Sequence, residues 1–285
     1  MLSLWIPILI LLVAVLSYQL LQYYRSRGFV SSSNDNLYNR SQVPVGSGEM
    51  FDSIAPYYDS INRLISLGMH HSWRAMLVKQ LSLTSSDTIL DIATGTGDVA
   101  ISMLDSMSEP LATPLQILDP SFKMLLKAKD KLFALGYLDS VQITLGDVTN
   151  MSSFESDRFS KISMSFGIRN VVDREAALAE IRRVIRKGSV TPATIARSKL
   201  AILEVFQPRT GVLAPLASLF IHQVVPFIGA VFSNGHMREY NHLQQSIADF
   251  PPPLAFIGML SAAGFEDCVD HDLIFDVVHV FVCFA

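Results

Sequence analysis

The stretch that most limits what this chain can fold into is Thr88 to Ala100, reading T-I-L-D-I-A-T-G-T-G-D-V-A. Thr88, Ile89, Leu90 and Ile92 have strand character, Gly95 and Gly97 supply a turn, and apolar residues return at helical spacing after Asp98. Strand, glycine turn and helix in that order present backbone N–H groups to a nucleotide-like ligand at the edge of an open α/β sheet. The pattern G-x-G-x-x-A also describes a nicotinamide-dinucleotide turn, so the glycines alone do not choose the ligand. The flanking acids bear on that choice. Asp91 at the strand end and Asp98 at the helix start bracket the loop with carboxylates. A pyrophosphate wants bare N–H groups and a positive helix end, whereas a ligand bearing an ammonium and a sulfonium is attracted. S-adenosylmethionine is such a ligand.

Downstream, the acid placement repeats. Leu115 to Leu118 reads as a second strand ending in Asp119, roughly twenty residues past the glycines, where a carboxylate can take both ribose hydroxyls. Val141 to Leu145 is a third strand followed by Gly146 and Asp147, an acid that can accept from an adenine amino group. Lys161 to Ser165 is a fourth, running into Phe166-Gly167-Ile168-Arg169-Asn170, so Ser165, Arg169 and Asn170 share a strand end. Asp173 is placed to cap a helix reaching Arg186, and Lys199 to Val205 is a fifth strand carrying Glu204. The Arg182, Arg183, Arg186 and Lys187 cluster is accounted for by the helix dipole and solvent. Ser121 to Ala134 reads as an amphipathic helix with a solvated lysine face. Leu254 to Ala263 is a further helix, and Val269 with Ile274 to Phe284 supplies the last strands in a terminal hairpin. These elements predict an α/β class built on an open, mostly parallel sheet.

Ahead of the sheet, Phe51 to Leu81 has helical spacing broken at Leu67-Gly68, which predicts two helices. Tyr57, Tyr58 and Asp59 fall early in the first, where polar groups can face a pocket. Met1 to Tyr24 has no charged side chain, and Arg25 and Arg27 follow it. Residues 1–27 read as a membrane anchor or targeting segment, cleaved or retained, with basic residues keeping the body on the inner face. For a eukaryotic chain that is the matrix side of the mitochondrial inner membrane; otherwise the catalytic body lies in the cytoplasm. Residues 28–49 read as a flexible linker and 50–285 as the catalytic domain. Within it, 213–250 is apolar, interrupted by Pro215 and Pro226 and containing His222, and reads as a helical lid over a hydrophobic pocket.

A net charge of −4 excludes a nucleic-acid-binding field. Hydrophobic content of 50% points to a greasy substrate or a membrane surface. Cys268 and Cys283 are expected as buried thiols, compatible with a reducing compartment. The seven histidines show no metal-ligand spacing, so no metal is expected.

These residues together resemble the ubiquinone/menaquinone biosynthesis C-methyltransferases, which use S-adenosylmethionine on a class I methyltransferase fold; the resemblance implies an α/β, seven-stranded, mostly parallel Rossmann-like sheet with helices on both faces. The resemblance is carried by Tyr58-Asp59 with Asn62, Ser66-Leu67-Gly68-Met69-His70 with Trp73, Leu90 to Asp98, Ser165 to Val171 (S-F-G-I-R-N-V), Arg183-Val184 with Lys187-Gly188, Glu204, and Ser246-Ile247 with Phe250-Pro251. It covers about Phe51 to the C-terminus, and S-F-G-I-R-N is its most specific part. It implies cofactor contacts at Thr96, Asp119, Asp147 with Val148, and Ser165, beside Asp91, Gly95 and Gly97 of the loop. Departures from the family pattern occur at Pro120, at Met151 to Phe154, over 190–198, and in the Val-Phe-Gln that follows Glu204.

Methyl transfer to a ring carbon needs that ring as the reduced quinol, with one hydroxyl proton removed or polarised. The expected substrate is therefore a polyprenylated benzoquinol or a demethylmenaquinol-type naphthoquinol. Arg169, Asn170 and Tyr58 are the expected residues at the hydroxyl. Arg169, always charged, would stabilise the phenolate, and water, Tyr58, Asp59 or His70 would take the proton. Three rival readings stay open here: a methyltransferase of another lipophilic phenol, a nicotinamide dehydrogenase, and a non-catalytic subunit of a quinone-biosynthesis complex. A homodimer is also compatible.

Overall fold

The computed structural model describes residues 48–187, 197–207 and 237–285. The expected N-terminal segment, nearly all of the linker, most of the 190–198 turn, and the lid up to residue 236 with His222 lie outside the described residues. Among the described residues no helix is long and apolar enough to cross a membrane.

The strands are β1 (Ile89–Ile92), β2 (Leu115–Asp119), β3 (Val141–Leu145), β4 (Lys161–Ser165), β5 (Lys199–Val205), β6 (Glu266–Ile274) and β7 (Val278–Phe284). They form one sheet in the order β3-β2-β1-β4-β5-β7-β6. Strands β1 to β5 pair in parallel, and β7 runs antiparallel to both β5 and β6. The order reverses at β1, with β2 on one side and β4 on the other. Loops leaving β1 and β4 therefore diverge and open a crevice at the carboxyl edge, where ligands of open α/β sheets bind.

The strands bury both faces because helices cover both. Leu90, Ile92, Ile162, Met164, Leu200 and Ile202 share one buried cluster with α6 (Arg174–Val184) and α8 (Pro253–Ala262). On the opposite face Ile89, Leu115, Ile117, Ala201 and Leu203 pack with α3 (His70–Leu81), α4 (Asp98–Ser106) and α5 (Phe122–Ala134). Ser121 caps α5 by accepting from Met124 N–H at 3.2 Å, and Asp173 caps α6 through Ala176 N–H at 2.9 Å. α7 (Met237–Ala248) lies in the latter part of the expected lid.

The structure corrects the sequence reading in several places. Among the described residues three helices, not two, precede the sheet: α1 (Gly48–Ile54), α2 (Tyr58–Ile65) and α3. Pro56, which has no N–H to continue a ladder, lies in the turn between α1 and α2. The expected break at Leu67-Gly68 is present, both residues having left-handed φ of 51° and 79°. The apolar run Ile274 to Phe284 is split by a turn in which Phe275 and Asp276 take positive φ.

Cys268 and Cys283 are not free thiols. They are joined in a disulfide. Val269 pairs with Val282, so the preceding and following residues face each other across β6 and β7. A bulge between Glu266 and Val269 sets that register. The basic cluster is not merely solvated either. Arg183 pairs with Glu180 at 2.7 Å and donates to the carbonyls of Met151 and Phe154, while Arg182 donates to Gly264 O. On α5, Lys131 leaves the lysine face to pair with Asp59 and Asp98 at 2.8 and 2.7 Å.

Candidate active site

Two cavities meet at the carboxyl edge of the sheet. The larger, about 360 Å³, lies over the ends of β1 to β4 and is walled by Gly95, Asp119, Asp147, Val148 and Ser165 among others. The smaller, about 190 Å³, lies between α1 to α3, the turn after β4, and α7. Phe51, Tyr58, Phe166 and Asn170 border both.

The register decides which acids reach the larger cleft. Asp119 is the last residue of β2 and pairs with Leu145 at the end of β3. Asp91 pairs with Ile117 and Ser163, two steps inside that edge. Asp119 is only 6% exposed and accepts from Gly95 N–H on Oδ2 and Ser121 N–H on Oδ1, both at 2.8 Å. A carboxylate has about four acceptor sites, so each oxygen can still take a ligand hydroxyl. Burial pushes this carboxyl up to about 6, against the two N–H groups that pull it down.

Asp91 is spent inside the protein. Its oxygens accept from Ser163 Oγ at 2.5 Å and Thr94 Oγ1 at 2.6 Å, and burial raises it to about 6 as well. Asp98 forms ion pairs with Arg74 and Lys131. Burial would raise its carboxyl, but the two cations more than offset that and hold it below the ordinary value. Thr96 is 2% exposed, donates to Asp59 at 2.6 Å and accepts from Lys131 at 2.9 Å. None of these three lines either cavity. The two carboxylates bracketing the glycine loop thus lock the loop onto α3 and α5 and onto β4, and the charge argument drawn from them against a dinucleotide does not carry.

Both glycines serve geometry. Gly95 has φ of +57° and its N–H is the one that reaches Asp119. Gly97 has φ of +84°, and a Cβ there would stand 3.1 Å from that of Ala128 on α5. The neighbouring Ala93 and Phe166, just past the ends of β1 and β4, hold φ of 52° and 55° without being glycine. Such strained non-glycine residues cluster where a ligand is gripped. Gly167 lets β4's end close on β1, since a Cβ would meet that of Ala93 at 2.7 Å.

On the far side of the cleft, Asp147 is exposed, and its Oδ1 accepts from Thr149 N–H and Oγ1. Val148 is buried beside it. Ser165 Oγ is buried at the cleft wall without a hydrogen-bond partner among the described residues. A buried orphan hydroxyl is costly unless something polar meets it there. With Asp119 poised for a ribose, Asp147 at the mouth and Ser165 unpaired, the residues fit S-adenosylmethionine.

The smaller cavity is mostly apolar with a few charged and polar groups. Arg169 Nη1 donates to Phe166 O at 2.9 Å and pairs with Glu204 Oε1. Its Nε is buried and has no hydrogen-bond partner among the described residues. Asn170 Nδ2 donates to the same carbonyl at 3.4 Å. Tyr58 is half-buried, and burial raises its phenol against the pull of Arg74, Asn62 and Arg169, so it stands as a neutral O–H. His70 Nδ1 bonds Ser66 Oγ at 2.6 Å, and burial with the charges of Arg74 and His71 lowers it to about 4. Asp59, expected near the hydroxyl, is instead held by Lys131 and Thr96. Nothing in the sequence pattern points to Arg74, which is 8% exposed yet influences Tyr58, His70, Asp91 and Asp98. His242, on α7, also lines this cavity unheralded.

A sheet of this order, with a glycine loop after β1 bonded to the acid ending β2, defines a class I S-adenosylmethionine-dependent methyltransferase. A solved SAM-dependent methyltransferase from Aquifex aeolicus shares the fold: 15% identity, TM-score 0.51, 79% of this chain and 97% of that one covered. The chain belongs to the ubiE/COQ5 methyltransferase family, whose profile matches residues 39–284. It is 34% identical over 233 residues to the ubiquinone/menaquinone biosynthesis C-methyltransferase UbiE of Geotalea daltonii, covering 82% of this chain and 93% of that protein. It is 33% identical over 236 residues to the demethylmenaquinone methyltransferase of Thermotoga maritima, with the same coverage, 82% and 93%.

Proposed function

We propose that this enzyme transfers the methyl of S-adenosylmethionine to a ring carbon of a polyprenylated quinol in ubiquinone or menaquinone biosynthesis. The observation that carries the reading is the shared wall of Tyr58, Phe166, Asn170 and Phe51 between a polar cleft and an apolar cavity. A donor in the first and an aromatic ring in the second would face each other across that wall, held close and away from water. Asp119, Asp147, Val148 and Ser165 hold the donor, with Gly95 shaping the loop, while Asp91, Thr96 and Gly97 keep that loop in place. The donor supplies the electrophilic methyl. Arg169 supplies positive charge beside a ring oxygen, which makes the adjacent carbon nucleophilic as the hydroxyl loses its proton. Asn170 and Tyr58 orient that ring.

A polyprenyl tail belongs in lipid, so the enzyme works at a membrane surface. The uncharged run Met1 to Tyr24, followed by Arg25 and Arg27, would hold the body to the inner face, which in a mitochondrion is the matrix side. A homodimer or a quinone-biosynthesis complex would serve the same end. The test is an anaerobic assay of the purified chain with S-adenosylmethionine and short-tailed prenyl benzoquinols and naphthoquinols. One added methyl on the ring carbon of the quinol, and none on the oxidised quinone, is the expected result. Methylation only at oxygen, or of simple phenols in preference, would overturn it.

A further inference from the structure

The smaller cavity contains a polar group that has no part in the roles assigned above. His242 sits on α7, which packs against the Ile168–Asn170 turn carrying Arg169. Its Nε2 is buried and has no hydrogen-bond partner among the described residues. The side chain lines the same cavity as Tyr58, Arg169 and Asn170. Burial and the nearby charge of Arg169 both lower its basicity, so the ring is neutral at physiological pH.

A buried imidazole nitrogen left unpaired costs stability unless a ligand group completes it. The other groups expected to take the quinol proton are occupied or unsuited. Asp59 is bound by Lys131 and Thr96. Tyr58 is a neutral phenol, and His70 is already bonded through Nδ1 to Ser66. Arg169 cannot release its proton.

Resting on the acceptor role of this cavity, we propose that His242 Nε2 accepts the quinol hydroxyl proton while Arg169 stabilises the phenolate left behind. The O–H electron pair stays on oxygen and feeds the ring carbon that takes the methyl. After transfer that carbon's own proton leaves to water, the ring becomes aromatic again, and the imidazolium returns its proton to the oxygen. One proton is released in total, as the overall reaction requires.

The test uses the full chain carrying Trp5→Phe, which leaves Trp73 on the cavity wall as its single tryptophan. Quenching of that tryptophan by a short-tailed prenyl naphthoquinol reports entry of the acceptor without turnover. Titration with S-adenosylhomocysteine reports the donor site. His242→Ala should keep both affinities within about threefold and lose at least a hundredfold in kcat, with added imidazole recovering tenfold or more. His242→Gln, which can hydrogen-bond but not accept the proton, should be as slow as His242→Ala. Turnover within threefold of wild type in either variant would overturn the proposal. A loss that imidazole does not relieve, or that tracks weakened quenching, would overturn it too. Absence of quenching in the parent during active methylation would instead remove the acceptor-cavity reading itself.

Discussion

Arg169 is tied to Glu204, a carboxylate with no solvent exposure, through Nη1 and through its own backbone N–H at 3.3 Å. The pair joins the turn after β4 to β5, and it fixes the guanidinium at the wall of the smaller cavity. Glu204 Oε1 also accepts from Val205 N–H at 2.8 Å, so the anion is held from its own strand and from the turn after β4. In the proposed reaction this cation faces the phenolate and is aimed before the substrate arrives.

Removing Arg169 should separate its two roles. Arg169→Ala leaves Glu204 buried without its cation and should lower stability by about 3–5 kcal/mol. The double variant Arg169→Met with Glu204→Gln should recover most of that loss in a denaturant titration yet remain inactive. S-adenosylhomocysteine affinity should be unchanged throughout. Wild-type turnover in Arg169→Ala would refute a role at the quinol oxygen.

Asp119→Ala removes the acceptor of Gly95 N–H and the proposed ribose contact together. Loss of charged hydrogen bonds of about 1.5–3 kcal/mol should weaken S-adenosylhomocysteine binding by roughly ten- to a hundredfold. Isothermal titration calorimetry measures it directly. Thr96→Val, by contrast, removes an internal bond to Asp59 and should mainly lower Tm.

Asp91 makes the stability of the free protein depend on pH in an unusual direction. Its carboxyl is raised from 3.8 to about 6, so in that window the folded chain holds a proton that the unfolded chain releases. Stability therefore falls as pH rises through the window. Above pH 7 the cost from this group is complete, about 3 kcal/mol for a roughly hundredfold gain in proton affinity on folding. His70 acts the other way, losing stability as pH falls from 6.5 toward about 4. The Asp91→Asn minus wild-type difference isolates the first effect: Ser163 and Thr94 can reorient around an amide, and the variant should gain Tm at pH 8 relative to pH 5.

The Cys268–Cys283 bond spans 15 residues of a hairpin. In the chain-entropy account a loop of that length is worth about 3 kcal/mol, less whatever the hairpin already restrains in the unfolded state. Dithiothreitol should lower Tm by several degrees, and a denatured, unreduced sample should titrate no free thiol. The double variant Cys268→Ser with Cys283→Ser should make Tm indifferent to reductant.

Much of the fold could be read from single residues because the strands are short apolar runs with marked ends. β3, β4 and β5 lie where their sequence places them, and Asp119, Asp147 and Ser165 all line the cleft. The glycine turn after β1, the acid ending β2 and the S-F-G-I-R-N strand end are local signals, set by backbone conformation and chain order. They are enough to determine an open α/β sheet and a family, and they place the proposed donor site at the sheet's carboxyl edge. Which side of a strand each carboxylate faces, and what meets it there, depends on inter-strand register and on helices far away in the chain. Asp91 and Asp98, adjacent to the loop in sequence, are taken up by the Ser163 hydroxyl and by the Arg74 and Lys131 cations respectively, so proximity to the glycines says nothing about the ligand. Glu204 lies 35 residues beyond Arg169, and His242 reaches the same cavity from α7. Such meetings are decided by long-range packing, for which a single sequence carries no periodicity, and only the tertiary structure brings those charges together.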